Sequence, residues 1–500
     1  MRKTVKKLTA VGLTVTSVLG LVACGSSKGT TSQGTSENKE VTKPDTFTVM
    51  CDGTVVTETN GAEAFYKQLN EATGLDIKWT RPDHASYYDA VANAFNSDDT
   101  MPDVVLLSSD YYALYASNGF LWNMTDAWEH SETKNSGRLI STADNVLSAL
   151  MVNGEDGTKA MYGLSLYRGN GCCTYVKKAW LDKAGIDASK VKDVQMDFNT
   201  YYGYLKQMAQ TMGHYVISSP GFIHPEAPNT NYLPEFYQKA QYTFYKDTSG
   251  KYVDGFAQQE MKEALQRIQT AVNDGVIDKE SVNNSTANAR DKFYSTDPST
   301  ETGVFTYWAG TWANTLKTNL SNKGLDDELI AIKPIKELGA YTERIAPCWC
   351  ITSAAKNPEG IFKYFIDKML DGGDVQMLWT HGAKGTHWDD KAETVTVEKK
   401  EDQPKTYTEG QFHYLPGIEK PDQWQTKNHI DPILSIANFT NGYVGESLIP
   451  EVARENGEFF AENSQVAVPL PMTSELSNNI GDINTARTYV IAQVALGYMT

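Results

Sequence analysis

Two short stretches of this 500-residue chain combine carboxylates, aromatic rings and glycine in a way that suits small-molecule recognition. Asp110-Tyr111-Tyr112 follows the unbroken apolar run Val104 to Leu107, and Trp308-Ala309-Gly310-Thr311-Trp312 follows the apolar Val304-Phe305. A carboxylate accepts hydrogen bonds from hydroxyls, an aromatic face stacks on an apolar ring surface, and Gly310 lets a backbone approach closely. A helix beginning near Trp312 would add unpaired amides. The same residues have a plainer reading too, since an acid after a strand is often a cap or turn residue and aromatics at a helix start are often core. Glu226, in the Pro-, His- and Asn-rich stretch from Phe222 to Phe236, is either a hydroxyl acceptor or a solvated loop acid.

Reaction chemistry finds less support. There is no His-Glu-x-x-His, no Gly-x-Ser-x-Gly, no phosphate-binding glycine loop and no Cys-x-x-Cys, so no catalytic residue and no cofactor are assigned. His381 and His387 stand six apart, but no third ligand with metal spacing is near, and no metal is expected. Paired carboxylates leave no fixed spacing, so a secreted glycoside hydrolase remains the alternative from another functional class.

The elements that would position these residues are legible upstream. A strand over Phe47 to Met50 ends at Cys51-Asp52-Gly53, a helix from Glu63 to Thr73 is stopped by Gly74, and a second strand covers Leu75 to Trp79. A helix ending near Asn96 leads through the acidic turn Ser97-Asp98-Asp99-Thr100 to the strand Val104 to Leu107, and a new helix follows at Ala113. Strands alternating with helices predict a parallel sheet wrapped by helices, with ligands beyond the strands' carboxyl ends. Asp52 and Asp110 then emerge on one edge. Further on, Asn199 is placed to cap a helix from Thr200 to Met212, and Tyr242 to Tyr252 reads as a hairpin.

The amino-terminal region sets the address. Arg2, Lys3, Lys6 and Lys7 precede an apolar run from Leu8 to Val22, the charge and length pattern of a secretory leader, residues 1–23. Leu21-Val22-Ala23-Cys24 resembles a bacterial lipobox, which makes Cys24 the lipidated first residue of the mature chain. Residues 24–45 carry, after Cys24, no apolar residue but Val41 and read as a flexible tether. Loss of the four leader cations takes the formal charge from −17 to −21, which argues against nucleic acid and against electrostatic adhesion to anionic lipid. Membrane contact then depends on the lipid, at the extracellular face of the cell membrane.

The stretch from Ala90 to Asp126, with its order of helix end, acidic turn, Pro-Asp, apolar strand, polar end, helix and Gly-Phe-Leu, resembles the first domain of the extracellular solute-binding lipoproteins of carbohydrate ABC importers (family 1 type). The resemblance continues through Met161 to Leu181, Gly303 to Asn322, Ile345 to Ser353, Trp379 to Trp388 and Val466 to Met472. It implies an α/β, two-domain periplasmic-binding-protein-like fold of type II, each domain a mainly parallel sheet flanked by helices, joined by hinge crossings. Residues 46–168 plus 349–415 would form domain one, and 169–348 plus 416–500 domain two. It further implies a carbohydrate ligand held at the cleft by Asp52, Asp110 and Tyr111 from one side and by Arg168 and Asn170 at the mouth between domains. Trp308 and Trp312, with Trp349 and Trp388, would supply aromatic surface, Trp312 stacking on a sugar ring. Members often carry an acidic loop after the helix that here ends at Met212; Gly213-His214-Tyr215 runs straight on, so no calcium site is expected there. The implied partners are the permease subunits of the transporter and a separate ATPase, the protein itself acting as a monomer. A lipoprotein that binds a peptide or another non-sugar solute is the alternative within the class.

Cys172-Cys173 and Cys348-x-Cys350 fall on the two segments that the resemblance makes hinge crossings, where the crossings usually run side by side. Four sulfurs brought together could be a disulfide, a metal site or small buried apolar groups.

Overall fold

The first sheet is built around the strand Val104–Leu107, whose four residues are all buried. In this computed structural model the described residues are 40–500 apart from 223–231, 248, 326, 396–403, 419–429, 431, 433, 441–447, 468–473 and 500. The segment expected to be a leader, Cys24 and the expected tether up to 39 therefore lie outside the described residues, as does Glu226.

Strands β1 (Thr46–Met50), β2 (Asp76–Thr80) and β3 (Val104–Leu107) pair in parallel, with β1 in the middle. Two further strands, β4 (Gly163–Leu164) and, from far along the chain, Cys348–Ile351, complete the sheet on the β3 side. Helix α1 (Ala62–Thr73) buries Ala62, Phe65 and Leu69 and ends where Gly74 adopts φ 62°, a left-handed conformation that suits glycine. The next helix, α2 (Tyr87–Ala94), buries Tyr87 and Val91. Helix α3 (Ser109–Ser117) starts four residues before the expected Ala113, so Asp110 and Tyr111 occupy its first turn.

The second sheet is formed by β5 (Cys172–Lys177) at its centre, flanked by β6 (Val304–Trp308) and β7 (Leu329–Ala331). Both ladders are antiparallel; parallel bridges join Ile217 to Ile277 and to Val304, and a separate two-stranded parallel pair, Tyr341–Glu343 with Ser464–Val466, lies beside the sheet. This departs from a mainly parallel second sheet for a topological reason. β5 leaves the hinge at Gly171 and β6 returns to it, its following residue Ala309 donating to the Gly171 carbonyl at 2.9 Å. An outgoing and a returning neighbour must run in opposite directions.

Three chain segments lie side by side between the sheets. Arg344 N–H donates to Asn170 O at 2.9 Å, Ser165 Oγ to Ala346 O at 2.8 Å, Arg168 N–H to Leu434 O at 2.6 Å and Ile436 N–H to Leu166 O at 3.2 Å. At Gly169 a side chain is excluded outright, since a Cβ there would fall 1.3 Å from Arg344 O. Ile430, Ile436 and Ala437 pack with the first sheet's core, so the chain stays with that lobe well past residue 415, where domain two was expected to resume.

The second lobe has its own core around Trp180, Leu205, Ile268 and Ile332. Helix α4 (Phe198–Met212) borders it and is capped by Asp197, whose carboxylate accepts from Thr200 N–H at 2.8 Å, rather than by the expected Asn199. The expected hairpin is present as Phe244–Lys246 against Tyr252–Asp254. The last helix, Ser474–Ala495, adds Ile491 and Ala495 to this core. No helix of the described residues is long and apolar enough to cross a membrane.

The cysteines do not gather. Cys51, Cys172, Cys173, Cys348 and Cys350 are all free and buried. Although the crossings touch at Gly169 and Arg344, β5 carries Cys172 and Cys173 into the second lobe while Cys348 and Cys350 head into the first, so the pairs enter separate cores. Burial pushes the Cys173 and Cys348 thiols up to about 12, as suits sulfur packed as an apolar group.

Candidate functional site

Polar groups collect at the carboxyl edge of the first sheet, where β1, β2 and β3 end. Asp52 follows β1 and is 7% exposed; its carboxylate accepts from Thr54 N–H at 2.9 Å and Thr54 Oγ1 at 2.7 Å, and lies 2.5 Å from His84 Nδ1. Burial pushes the Asp52 carboxyl up, but the hydrogen bonds from His84 and Thr54 outweigh it and hold the group below the usual carboxylate range. His84 follows β2, so the edge argument that selects Asp52 also reaches this residue, which the sequence reading passed over. Tyr111 lies flat on Tyr88, ring centroids 3.8 Å apart and planes within 3°, and the Tyr88 hydroxyl accepts from Ser108 N–H at 2.9 Å. One face of Tyr111 is thus already covered. Tyr112 is core, its hydroxyl bonding Tyr162 N–H and Leu150 O. The side chain of Asp110 lies outside the described set.

A second group gathers where the crossings meet β6. Asn170 donates from Nδ2 to Ala309 O at 3.0 Å and accepts from Gly171 N–H at 2.8 Å, tying the first crossing to the end of β6. Gly310 has φ 66° and gives its amide to Asn456 Oδ1 at 2.8 Å, which also accepts from the Tyr175 hydroxyl at 2.9 Å. Helix α5 (Thr311–Asn322) begins there. Trp308 is half-buried, with the Arg344 guanidinium 4.8 Å from its ring centroid. Trp312 is 42% exposed, touching Tyr307 edge to face. A large aromatic left that open at a lobe's hinge end is the clearest stacking surface in the group.

Arg168 does not reach into open solvent. Its Nη2 donates to Glu343 Oε2 at 2.6 Å, and both side chains are buried. Neither Glu343 nor Asn456 carries a local sequence signal, because their partners stand 175 and 281 positions away.

Two expected site residues lie elsewhere. Trp349 is 1% exposed and packs against Phe365 and Trp379, because its place on Cys348–Ile351 turns it toward the helix layer; it is core. Trp388 is half-buried and donates from Nε1 to Gly382 O at 2.9 Å beside Phe412. The neighbouring histidines are staples. His387 spans Ala383 N–H and Asn60 O, and His381 meets the Tyr414 hydroxyl at 2.6 Å, burial pushing its pKa down to about 3. Among the described residues no group of three or more His, Cys, Asp or Glu could hold a metal ion.

No family model matches the sequence, and a search of curated proteins finds no significant match. Solved structures do match. An HMO-binding ABC-transporter-associated solute-binding protein from Bifidobacterium longum infantis aligns with TM-score 0.58 and 13% identity over 91% of this chain and 92% of that one. A family 1 extracellular solute-binding protein from Alicyclobacillus acidocaldarius gives 0.57 and 14% over 92% and 95%. The chain has the fold of the extracellular solute-binding proteins. An N-glycan transport solute-binding protein from Streptococcus pneumoniae shares that fold at TM-score 0.56 and 17% identity over 91% and 92%. In this solute-binding-protein fold the Asp52 edge and the Trp312 group sit on separate lobes, at the ends nearest the crossings.

Proposed function

We propose that this chain is the solute-binding lipoprotein of a carbohydrate ABC importer, capturing a sugar or oligosaccharide outside the cell and handing it to membrane permease subunits. The observation that carries the reading is the fold, matched over nine-tenths of the chain by solute-binding proteins whose names specify glycans, together with a 42%-exposed Trp312 at the hinge end of the second lobe. Trp312 serves as the stacking platform, with Asp52, His84 and Tyr111 meeting the ligand's hydroxyls from the first lobe. Ligand binding selects the closed arrangement of the lobes about the three crossings. Cys24 carries the lipid that holds the protein at the outer face of the membrane, and the protein works as a monomer that binds without turnover.

Titration calorimetry of the mature protein with maltotriose, cellotriose, xylotriose, mannotriose and a branched N-glycan tests this. Saturable heat with at least one of them and no released product is expected. Release of smaller sugars would instead identify a glycoside hydrolase, and stabilisation by peptides alone would move the chain to another ligand class.

A further inference from the structure

Every arginine among the described residues but one donates from its guanidinium to a carboxylate, carbonyl or hydroxyl. The exception is Arg344 on the second crossing, whose side chain finds no hydrogen-bond or ion-pair partner among the described residues. Its guanidinium lies instead over the Trp308 ring, 4.8 Å from the centroid. Acids outnumber Lys and Arg in this chain by 62 to 45, so no shortage of carboxylates explains a half-buried cation without one.

The backbone that presents this cation is fixed. Arg344 N–H donates to Asn170 O at 2.9 Å, and the Arg344 carbonyl sits so close to Gly169 that no Cβ fits there. The strand Tyr341–Glu343 alternates buried, exposed, buried. Parity therefore sends Glu343 inward to Arg168 and puts Arg344 on the open side with Thr342. Trp308 ends β6, and the chain turns through Ala309 and Gly310 into the helix that carries Trp312. The guanidinium is thus accessible at the end of the second lobe nearest the crossings, in the same group as the exposed Trp312.

A guanidinium held in this way suits one class of partner. Stacking on Trp308 fixes the plane of the fork and leaves its edge N–H groups to an acceptor. A carboxylate takes two parallel N–H groups and neutralises the charge, whereas a hydroxyl accepts from one and leaves the charge in place. Arg168, the neighbouring cation at the hinge, does not compete for an acid, because Glu343 already pairs with it.

We propose that Arg344 is a specificity residue that takes the carboxylate of an acidic saccharide held in the cleft. This rests on the sugar-binding reading and narrows it to saccharides that carry an acid, of which a uronate is the simplest.

Titration calorimetry at pH 7 tests it with matched pairs: maltotriose, cellotriose and mannotriose, each beside the same trisaccharide with its terminal ring oxidised to the uronate. At least one uronate is expected to bind wild-type protein about tenfold or more tighter than its neutral parent, as a charge-assisted pair would give. A uronate that binds where its parent gives no heat shows the same preference. In Arg344→Gln the ratio of the two affinities should fall close to one, a change that a merely weakened fold, which lowers both, would not produce. Arg344→Lys keeps the charge without the fork and should lose part of the preference, so it reports even where Arg344→Gln fails to fold. Neutral trisaccharides that bind as well as their uronates would overturn the inference and leave the sugar-binding reading standing, as would a uronate preference undiminished in both variants. Sodium sulfate alone should give no saturable heat; saturation by sulfate that Arg344→Gln abolishes would overturn the sugar-borne acid in favour of a free anion. Absence of binding by every saccharide, neutral or acidic, would overturn the proposed function and this inference with it.

Discussion

The guanidinium carbon of Arg344 stands 4.8 Å from the ring centroid of Trp308, so the second crossing braces one tryptophan of the hinge group while Trp312, four residues on, remains 42% exposed. The two rings therefore have different duties. Trp312→Ala is expected to weaken sugar binding by about 1–3 kcal/mol, the range for losing an aromatic stack, with the melting temperature nearly unchanged. Trp308→Ala should lower stability by about 1–2 kcal/mol through loss of packing and of the cation–π contact. Calorimetry beside thermal melts separates them; a Trp312 variant that unfolds would place that ring in the core.

Much of this arrangement could be read from local pattern. The strand Val104–Leu107 is announced by four apolar residues between turn signals, and Gly310 by its place between a strand and a helix. Long-range pairings could not be read. Glu343 matters through Arg168, and Asn456 through Gly310 and Tyr175, partners that the fold supplies and the chain order does not. Trp349 misleads for a related reason. An aromatic beside a crossing looks like a platform until strand parity decides its face, and here parity turns it to Phe365 and Trp379.

Acylation of Cys24 predicts a fractionation result. In the native host, wild-type protein should sediment with membranes and Cys24→Ala should appear in the medium or stay uncleaved. Membrane retention of the variant would contradict the lipid anchor.

The thiols give a count. Denatured mature protein lacking Cys24 should titrate with five free thiols, those of Cys51, Cys172, Cys173, Cys348 and Cys350. The native protein should react slowly, since all five are buried and reactivity needs an accessible thiolate. A count of three would mean that one bridge forms.

Arg487 fastens the last helix to the second lobe. Its Nη1 donates to Tyr242 O at 2.8 Å, its Nη2 to Asp254 Oδ1 at 2.6 Å, and the rings of Tyr242, Phe244 and Phe256 lie 5.3–5.4 Å from the guanidinium carbon. Lysine keeps the charge but lacks the planar fork that serves both acceptors. Arg487→Lys should cost about 1–2 kcal/mol and raise hydrogen exchange in Ser474–Ala495, with sugar affinity unchanged. Exchange in that helix matching wild type would show that its apolar face alone holds it.

Glu235 makes the stability of the second lobe depend on pH. It is 1% exposed, and burial pushes its pKa from 4.5 to about 7, with hydrogen bonds from Thr174 and Tyr341 only partly opposing the shift. The groups facing it are Tyr341, whose hydroxyl lies 3.4 Å from Oε1, with Thr174, Cys173 and Tyr201. None of these carries a positive charge, so the folded state favours the protonated acid. Because the folded pKa lies above the unfolded one, the folded state binds the extra proton between the two values. The stabilisation is complete below about pH 4.5 and is lost as pH rises through about 7. Its size is on the order of 3 kcal/mol. Other carboxylates, such as Asp52 with its lowered pKa, act in the opposite sense, so the difference between two proteins is the informative quantity. Glu235→Gln fixes a neutral side chain of the same shape. Urea unfolding from pH 4.5 to 8.5 should show the variant close to wild type at the acid end, gaining on wild type as pH rises between about 4.5 and 7, and keeping a constant advantage above that. Parallel pH profiles for the two proteins would mean that Glu235 titrates alike in the folded and unfolded chains.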